Sequence, residues 1–295
     1  MMLALSLQGQ YAGRETCQGC HPKESAGHER TGHARSLAVP SAHAFFSRFS
    51  GVEADWAFGA GSQAVTFVSR RDDEHYLEQG LSWYAASGRM ELTPGHRHER
   101  GEIYRTFDPN ASILRCFQCH STGPLRLGDG YRIQPAEAGV QCETCHGPAQ
   151  AHATRQQAVR NPKRMSAGAV NQLCGGCHRK PAVSGEDTDW SNPWNTRHQP
   201  LYLAESACFR KSNGKLSCFT CHAPHQPMAK EASTYAKTCA SCHARPRHRA
   251  ATLSAKGTCV SCHMPEVQPQ PSLRFANHWI GVYATGKPLQ PIARP

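Results

Sequence analysis

The chain has 295 residues, only 39% of them apolar, with 25 glycines, 20 prolines and a formal net charge of +11. So dilute an apolar content excludes a large core built from side chains alone, and no segment approaches the roughly 20 apolar residues of a membrane-spanning helix. The basic excess raises nucleic acid or an acidic membrane as a partner, a reading that the cysteines displace.

Met1 to Leu7 is a short apolar run with no Lys or Arg before Arg14, which reads as the tail of a truncated or misassigned leader. Next comes Cys17/Cys20/His21, the first of seven Cys-x-x-Cys-His motifs. This spacing is the attachment signature of c-type haem: two thiols add to the vinyl groups and the adjoining histidine reaches the iron. The others are Cys116/Cys119/His120, Cys142/Cys145/His146, Cys174/Cys177/His178, Cys218/Cys221/His222, Cys239/Cys242/His243 and Cys259/Cys262/His263. Zinc accepts Cys-x-x-Cys pairs but has no need of a histidine after every second cysteine. Fourteen of the fifteen cysteines are thereby used. Only Cys208 is left over, either as a buried inert thiol or as one side of an intermolecular disulfide or metal contact.

A helix is expected after Pro22, with His28 two turns from His21 in a packing or propionate-contact position. His33 cannot wrap round to its own haem and is expected to serve a neighbour. Residues 56–107 change texture: the β-branched and aromatic run Ala64 to Val68, the stretch Tyr76 to Tyr84, and Met90 to Leu92 after a Gly88-Arg89 turn predict a small antiparallel sheet. Beyond Ile113 haem motifs alternate with polar loops, and the first cysteines are 99, 26, 32, 44, 21 and 20 residues apart, too uneven for a solenoid. Residues 149–160, rich in Ala and Gln, predict a helix carrying His152. Gln268-Pro269-Gln270-Pro271 reads as a linker.

These elements give an expected fold class: mainly α with long loops, organised around seven packed c-type haems, with an antiparallel β insertion at about 56–107. Three segments follow, joined in one compact unit: 1–55 as an N-terminal haem segment, 56–112 as the insertion and 113–295 as a six-haem block. The haem-free chain is expected to be largely disordered. Seven ferric bis-histidine haems with ionised propionates would bring the net charge to about +4, and seven ferrous ones to about −3. The basic residues then read as counter-charge, not as a nucleic-acid surface.

Each iron needs a sixth ligand. Bis-histidine ligation gives low potentials and His/Met ligation higher ones; Met264 adjoins His263 and cannot reach the far face of the same haem. Among eleven non-motif histidines, His33, His152, His225 and His278 rank first. His225 lies in Cys-His-Ala-Pro-His, where the proline turns the second imidazole away from the first. His98, His198 and His248 rank next.

Several of these segments resemble a known group. The segment Cys17 to Leu37, the run Gly139 to His152, Ser206 to Phe209, Leu216 to His225 and Cys259 to Pro265 are similar to the multihaem cytochromes grouped with the nitrifier tetrahaem cytochrome that takes electrons from hydroxylamine oxidoreductase. The resemblance covers about two thirds of the chain, outside 56–107, and implies haem-binding residues more firmly than function. Ammonia-forming nitrite reductases, similar in haem stacking, bind their catalytic haem through Cys-x-x-Cys-Lys, which is absent here. Hydroxylamine-oxidising relatives carry more haem sites and a tyrosine cross-link, for which Tyr283 is the candidate.

Two functions follow. The first is an exported electron carrier, periplasmic or extracellular, passing electrons between unidentified redox partner proteins and able to join copies of itself haem to haem. The alternative is an oxidoreductase acting on a small nitrogen or sulfur compound at one five-coordinate haem, with His96-Arg97-His98 as its distal pocket.

Overall fold

A computed structural model describes residues 10–49, 51–108, 112–180, 188–244 and 258–292. Its contacts divide the chain into two units, Met1–Pro162 with Pro224–Pro227, and Lys163–Ala223 with Met228–Pro295.

The first unit begins with helices α1 (Arg14–Cys20) and α2 (Pro22–His28), the latter started by proline at its first position. Strands β1 (Leu37–Ala38), β2 (Trp56–Phe58), β3 (Ala64–Arg70), β4 (His75–Tyr84) and β5 (Arg89–Leu92) pair antiparallel in chain order, and β6 (Glu102–Arg105) pairs with the other end of β4. Alternation along β3 places Val65 and Phe67 on one face and Val68 on the other, and the register shift against β4 between Thr66 and Val68 leaves that alternation intact, so both faces of the sheet carry apolar residues. One face buries Ala57, Val65 and Phe67 against Phe45, Phe46, Trp83 and Met90; the other buries Leu37, Phe58, Val68 and Tyr76 with Ile113, Phe117 and Ile133. Phe117 lies between Cys116 and Cys119 in helix α3 (Leu114–His120) and meets Phe58 and Trp56 edge to face at 5.1 and 5.6 Å. The sheet is thus packed directly onto the second motif.

A hairpin of β7 (Ser121–Leu127) and β8 (Ile133–Ala138) leads into α4 (Cys142–His146) and α5 (Gln150–Arg155). Gly139, between β8 and α4, has φ +80, and a Cβ built there falls 2.1 Å from the Ala34 carbonyl oxygen. Gly139→Ala is therefore expected to cost about 1–3 kcal/mol of stability. Thermal unfolding of the haem-loaded protein checks this: an unchanged midpoint would contradict it.

The second unit holds α6 (Ala167–His178), α7 (Gln199–Ala204), α8 (Ala207–Lys211), α9 (Cys218–Cys221), α10 (Ala232–Ala240), α11 (Cys259–His263) and a hairpin of β9 (Glu266–Gln270) and β10 (Leu273–Ala276). Its buried apolar side chains are few among the described residues: Val170, Leu201, Tyr202, Leu203, Val267 and Leu273.

The expectation of a mainly α fold is overturned. The described residues are about 35% helix and 20% strand, with several antiparallel sheets. Strands extend well outside 56–107, from Leu37 to Ala276. Pro124, Pro135 and Pro269 concealed the two hairpins, because proline argues against a paired strand except at an edge; each hairpin is a two-stranded sheet, so every strand in it is an edge. Of the expected Gln268 to Pro271 linker, Gln268 to Gln270 belong to β9 and only Pro271 enters the turn to β10. The helix expected over 149–160 is shorter, ending at Arg155 where Gln156 turns left-handed with φ 51.

Candidate haem-binding sites

Each motif occupies the last turn of a helix or makes up a helical turn of its own. The His21 N–H bonds to the Cys17 carbonyl at 2.8 Å, and the same bond joins His222 to Cys218 and His243 to Cys239 at 2.9 Å. Positions i, i+3 and i+4 share a helix face, so both thiols and the imidazole face one way. Capping boxes of Ser217 with Thr220 and Thr258 with Ser261 start two of these turns at the first cysteine.

None of the fifteen cysteines is in a disulfide, so all the motif thiols are chemically available for thioether formation. Their burial departs from the enclosed core expected around packed haems. Cys20, Cys177, Cys221, Cys242, Cys259 and Cys262 are exposed, and the other motif cysteines, with Cys208, are only half-buried. All but Cys259 of the exposed six are the second cysteine of their motif. The reason is local: the second thiol lies one turn along a short helix, beyond the contacts that the first cysteine makes with neighbouring elements. Cys174 against Cys218 and Cys17 against Cys142 meet another motif, whereas Cys177 and Cys20 lie further out. Side chains alone therefore do not enclose these sites.

Opposite three motif histidines stands a second imidazole. Ring centres of His21 and His152 are 6.3 Å apart with planes at 16°, those of His146 and His225 6.0 Å at 15°, and those of His222 and His278 6.3 Å at 35°. Two metal–imidazole bonds of about 2 Å, with each ring centre ~1.1 Å behind its nitrogen, require roughly 6 Å. These three gaps fit an iron atom.

The hydrogen bonding fits as well. Nδ1 of His120, His146, His152, His263 and His278 faces the carbonyl oxygens of Ser36, Arg160, Gln157, Gly281 and Ala276 at 3.0, 2.9, 2.8, 2.6 and 2.9 Å. A ring donating from Nδ1 keeps Nε2 bare for a metal. Burial pushes the His278 imidazole down to about 4, with His222 and His178 adding to the effect. Burial also lowers His225, aided by His146 and His28, and lowers His222 and His120. The neutral ring is the ligating form. In the segment after α5, the Gln157 and Arg160 carbonyls lie three residues apart and hold His152 and His146 respectively, while the Arg160 guanidinium donates back to the Cys145 and Thr144 carbonyls.

The remaining histidines separate clearly. His28 meets carbonyls on both sides, Val140 at 2.9 Å and Pro224 at 3.5 Å, and packs against His225; its place is in packing. His198 stands at the residue before α7 without a side-chain capping bond and is pushed down to about 4 by burial, then by Arg197, Arg179 and His178. His33 is exposed, and its backbone carbonyl accepts from Val140. His98 is exposed between β5 and β6. His248 lies outside the described residues. His75 and His96 engage Asp72 and Glu78 at 2.8 and 2.9 Å, and the Tyr283 phenol donates to the Trp279 carbonyl. Sequence reasoning passed over His43, half-buried beside Phe45 with no hydrogen-bond partner at Nε2; nothing in its neighbours' spacing marks it. It also passed over Glu143, buried between two haem cysteines.

The motifs touch in a definite order. In the first unit α1 packs on α4, and burial together with the adjoining Cys142 thiol pushes the Cys17 thiol up to about 12. The second motif joins the third through Thr122, whose hydroxyl meets that of Thr144 at 2.6 Å and accepts from Gln141 N–H at 2.6 Å. In the second unit α6 packs on α9, α9 on α10 and α10 on α11. There the Cys174 thiol lies against that of Cys218 and the Cys239 thiol against that of Cys259.

Residues 83–147 match the family described as cytochrome c554 and c-prime, and residues 134–183 match the doubled CXXCH motif. The chain is a multihaem c-type cytochrome. This cytochrome is 28% identical over 141 residues, 43% of its length, to the multihaem cytochrome MtrA of Shewanella baltica (strain OS185), and spans 36% of that relative. Its fold is similar to the outer cell wall cytochrome OcwA, with a TM-score of 0.58 at 18% identity over 92% of this chain and 79% of that one. It is also similar to the undecahaem cytochrome from the S-layer of Carboxydothermus ferrireducens, with a TM-score of 0.55 at 16% identity over 92% and 52% of the two chains. No helix among the described residues is long and apolar enough to cross a membrane.

Proposed function

We propose that this cytochrome is an exported electron-transfer protein, periplasmic or at the cell surface, that carries a haem at each of its seven motifs and passes electrons between redox partner proteins. The observation that carries the reading is the set of three imidazole pairs at iron-spanning separation. On this reading His21 with His152, His146 with His225, and His222 with His278 are axial pairs, and His198, beside His178, is the candidate for a fourth. When bound, haem supplies reversible one-electron exchange. The chain supplies the ligands, the hydrogen bonds to their far nitrogens, and the burial that together set potential.

The order of motif contacts supports a relay. Motifs one, three and two form one run, and motifs four, five, six and seven another. Haems attached at touching helices are close neighbours, which is what a wire requires and a single catalytic centre does not. The cell-surface relatives named above support the location, the match over 83–147 supports kinship with the nitrifier group, and haem-to-haem association of copies extends the same use.

Electron paramagnetic resonance of the oxidised protein, with haem counted by intact mass, tests the proposal. Seven haems and low-spin signals unaltered by nitrite, hydroxylamine or cyanide are expected. A high-spin component perturbed by any of the three would favour the oxidoreductase instead.

A further inference from the structure

We infer that Glu143 is a positioning residue shared by two haem sites, fixing the ligand helices of the first from within the motif of the third. The inference rests on the reading that both motifs hold haem. Glu143 is one of the two residues between Cys142 and Cys145, and it is only 3% exposed. Its carboxylate accepts three backbone N–H bonds, from Ala12 at 2.9 Å, Gly13 at 2.9 Å and Ala149 at 2.7 Å. None of these donors belongs to its own helix.

Two of the three donors are helix starts. Gly13 precedes α1, which carries Cys17 and Cys20, and Ala149 precedes α5, which carries His152. Glycine and alanine have no side-chain acceptor, so neither helix can cap itself; Glu143 provides the acceptor from a third element. One carboxylate therefore ties down both the helix bearing the thiols of the first haem and the helix bearing its opposing imidazole. Its own backbone lies between the cysteines of the third haem. A carboxylate is acceptor-only and brings negative charge, and the Cys17 thiol already feels that charge. Negative charge close to a haem opposes reduction, so the same group that sets geometry also lowers two potentials.

The test compares Glu143→Gln and Glu143→Asp with the wild type in the haem-loaded protein. Haem is counted by intact and peptide mass, and potentials are read by spectroelectrochemical titration with paramagnetic resonance. For Glu143→Gln the expected result is full haem content, an altered low-spin signal, and a component worth two electrons moved to higher potential. Glu143→Asp, which keeps the charge, should lie closer to the wild type in potential. Should Glu143→Gln load haem incompletely, the missing haem is expected on the Cys17/Cys20 peptide; loss centred on any other motif overturns the inference. Full loading with potentials unchanged, or with one haem or all of them shifted, overturns it too, whatever happens to the melting temperature. Failure of the underlying reading shows separately, as wild-type protein lacking haem on the Cys17/Cys20 or Cys142/Cys145 peptide.

Discussion

Made where haem cannot be attached, the chain is expected to retain a folded sheet and to lose the structure of its second unit. Each fully buried Phe, Val, Leu or Ile side chain contributes about 1.5–3 kcal/mol against an ordering cost of about 1–2 kcal/mol per residue. Only β1 to β6 concentrate enough of them, with Leu37, Ala57, Phe58, Val65, Phe67, Val68 and Tyr76 buried across two faces. In the second unit every described helix but one has fewer than ten residues, below the length at which an isolated helix persists in water. Its apolar filling must come from porphyrin. Hydrogen exchange on a chain with all motif cysteines replaced by serine should show protected amides over about 56–105 and fast exchange throughout 163–292. Equal protection of the two regions would contradict this, as would none anywhere. The expectation of general disorder without haem is thereby narrowed to part of the chain.

The second large effect is at the opposing ligands. Replacing His278 with alanine leaves His222 without the imidazole 6.3 Å away, so one haem should turn high-spin and bind carbon monoxide while the others stay low-spin. His278→Met should keep a six-coordinate iron and raise that haem's potential, within the roughly 0.8 V range that axial ligands command. The pairs also differ in signature. Nearly parallel rings at 15° and 16° separate the iron d levels more than rings at 35°, so His21/His152 and His146/His225 should give the more rhombic low-spin signals. An unchanged spectrum in His278→Ala would remove His278 from the ligand set.

The residues that could be read from sequence were those whose role is fixed by covalent spacing or by local stiffness. Cys-x-x-Cys-His needs one helical turn, and the structure supplies it without long-range help. What the spacing does not carry is how deeply each thiol sits, which depends on the elements packed around it and leaves Cys177, Cys242 and Cys262 exposed. His225 carried a local signal, the proline that turns it away from His222, and its ring stands 6.0 Å from that of His146. Strands β3 and β4 were legible because Val65, Phe67, Tyr76 and Trp83 carry β propensity in their own side chains. The hairpins at 121–138 and 266–276 were not, since their prolines oppose pairing and only edge positions tolerate them. Glu143 was invisible for a different reason: its donors lie 131, 130 and 6 residues away, and a lone glutamate inside a haem motif carries no periodic signal. The ranking of His33 rested on its being too near His21 to reach its own haem, an argument that carries nothing of its exposure.

The segment that holds His152 and His146 does so with the Gln157 and Arg160 carbonyls. Carbonyls belong to every amino acid. Point substitutions at 157 to 159 can therefore drift without disturbing either imidazole, whereas insertion or deletion of one residue there would misalign both together. At these two histidines the length of the segment matters more than its letters.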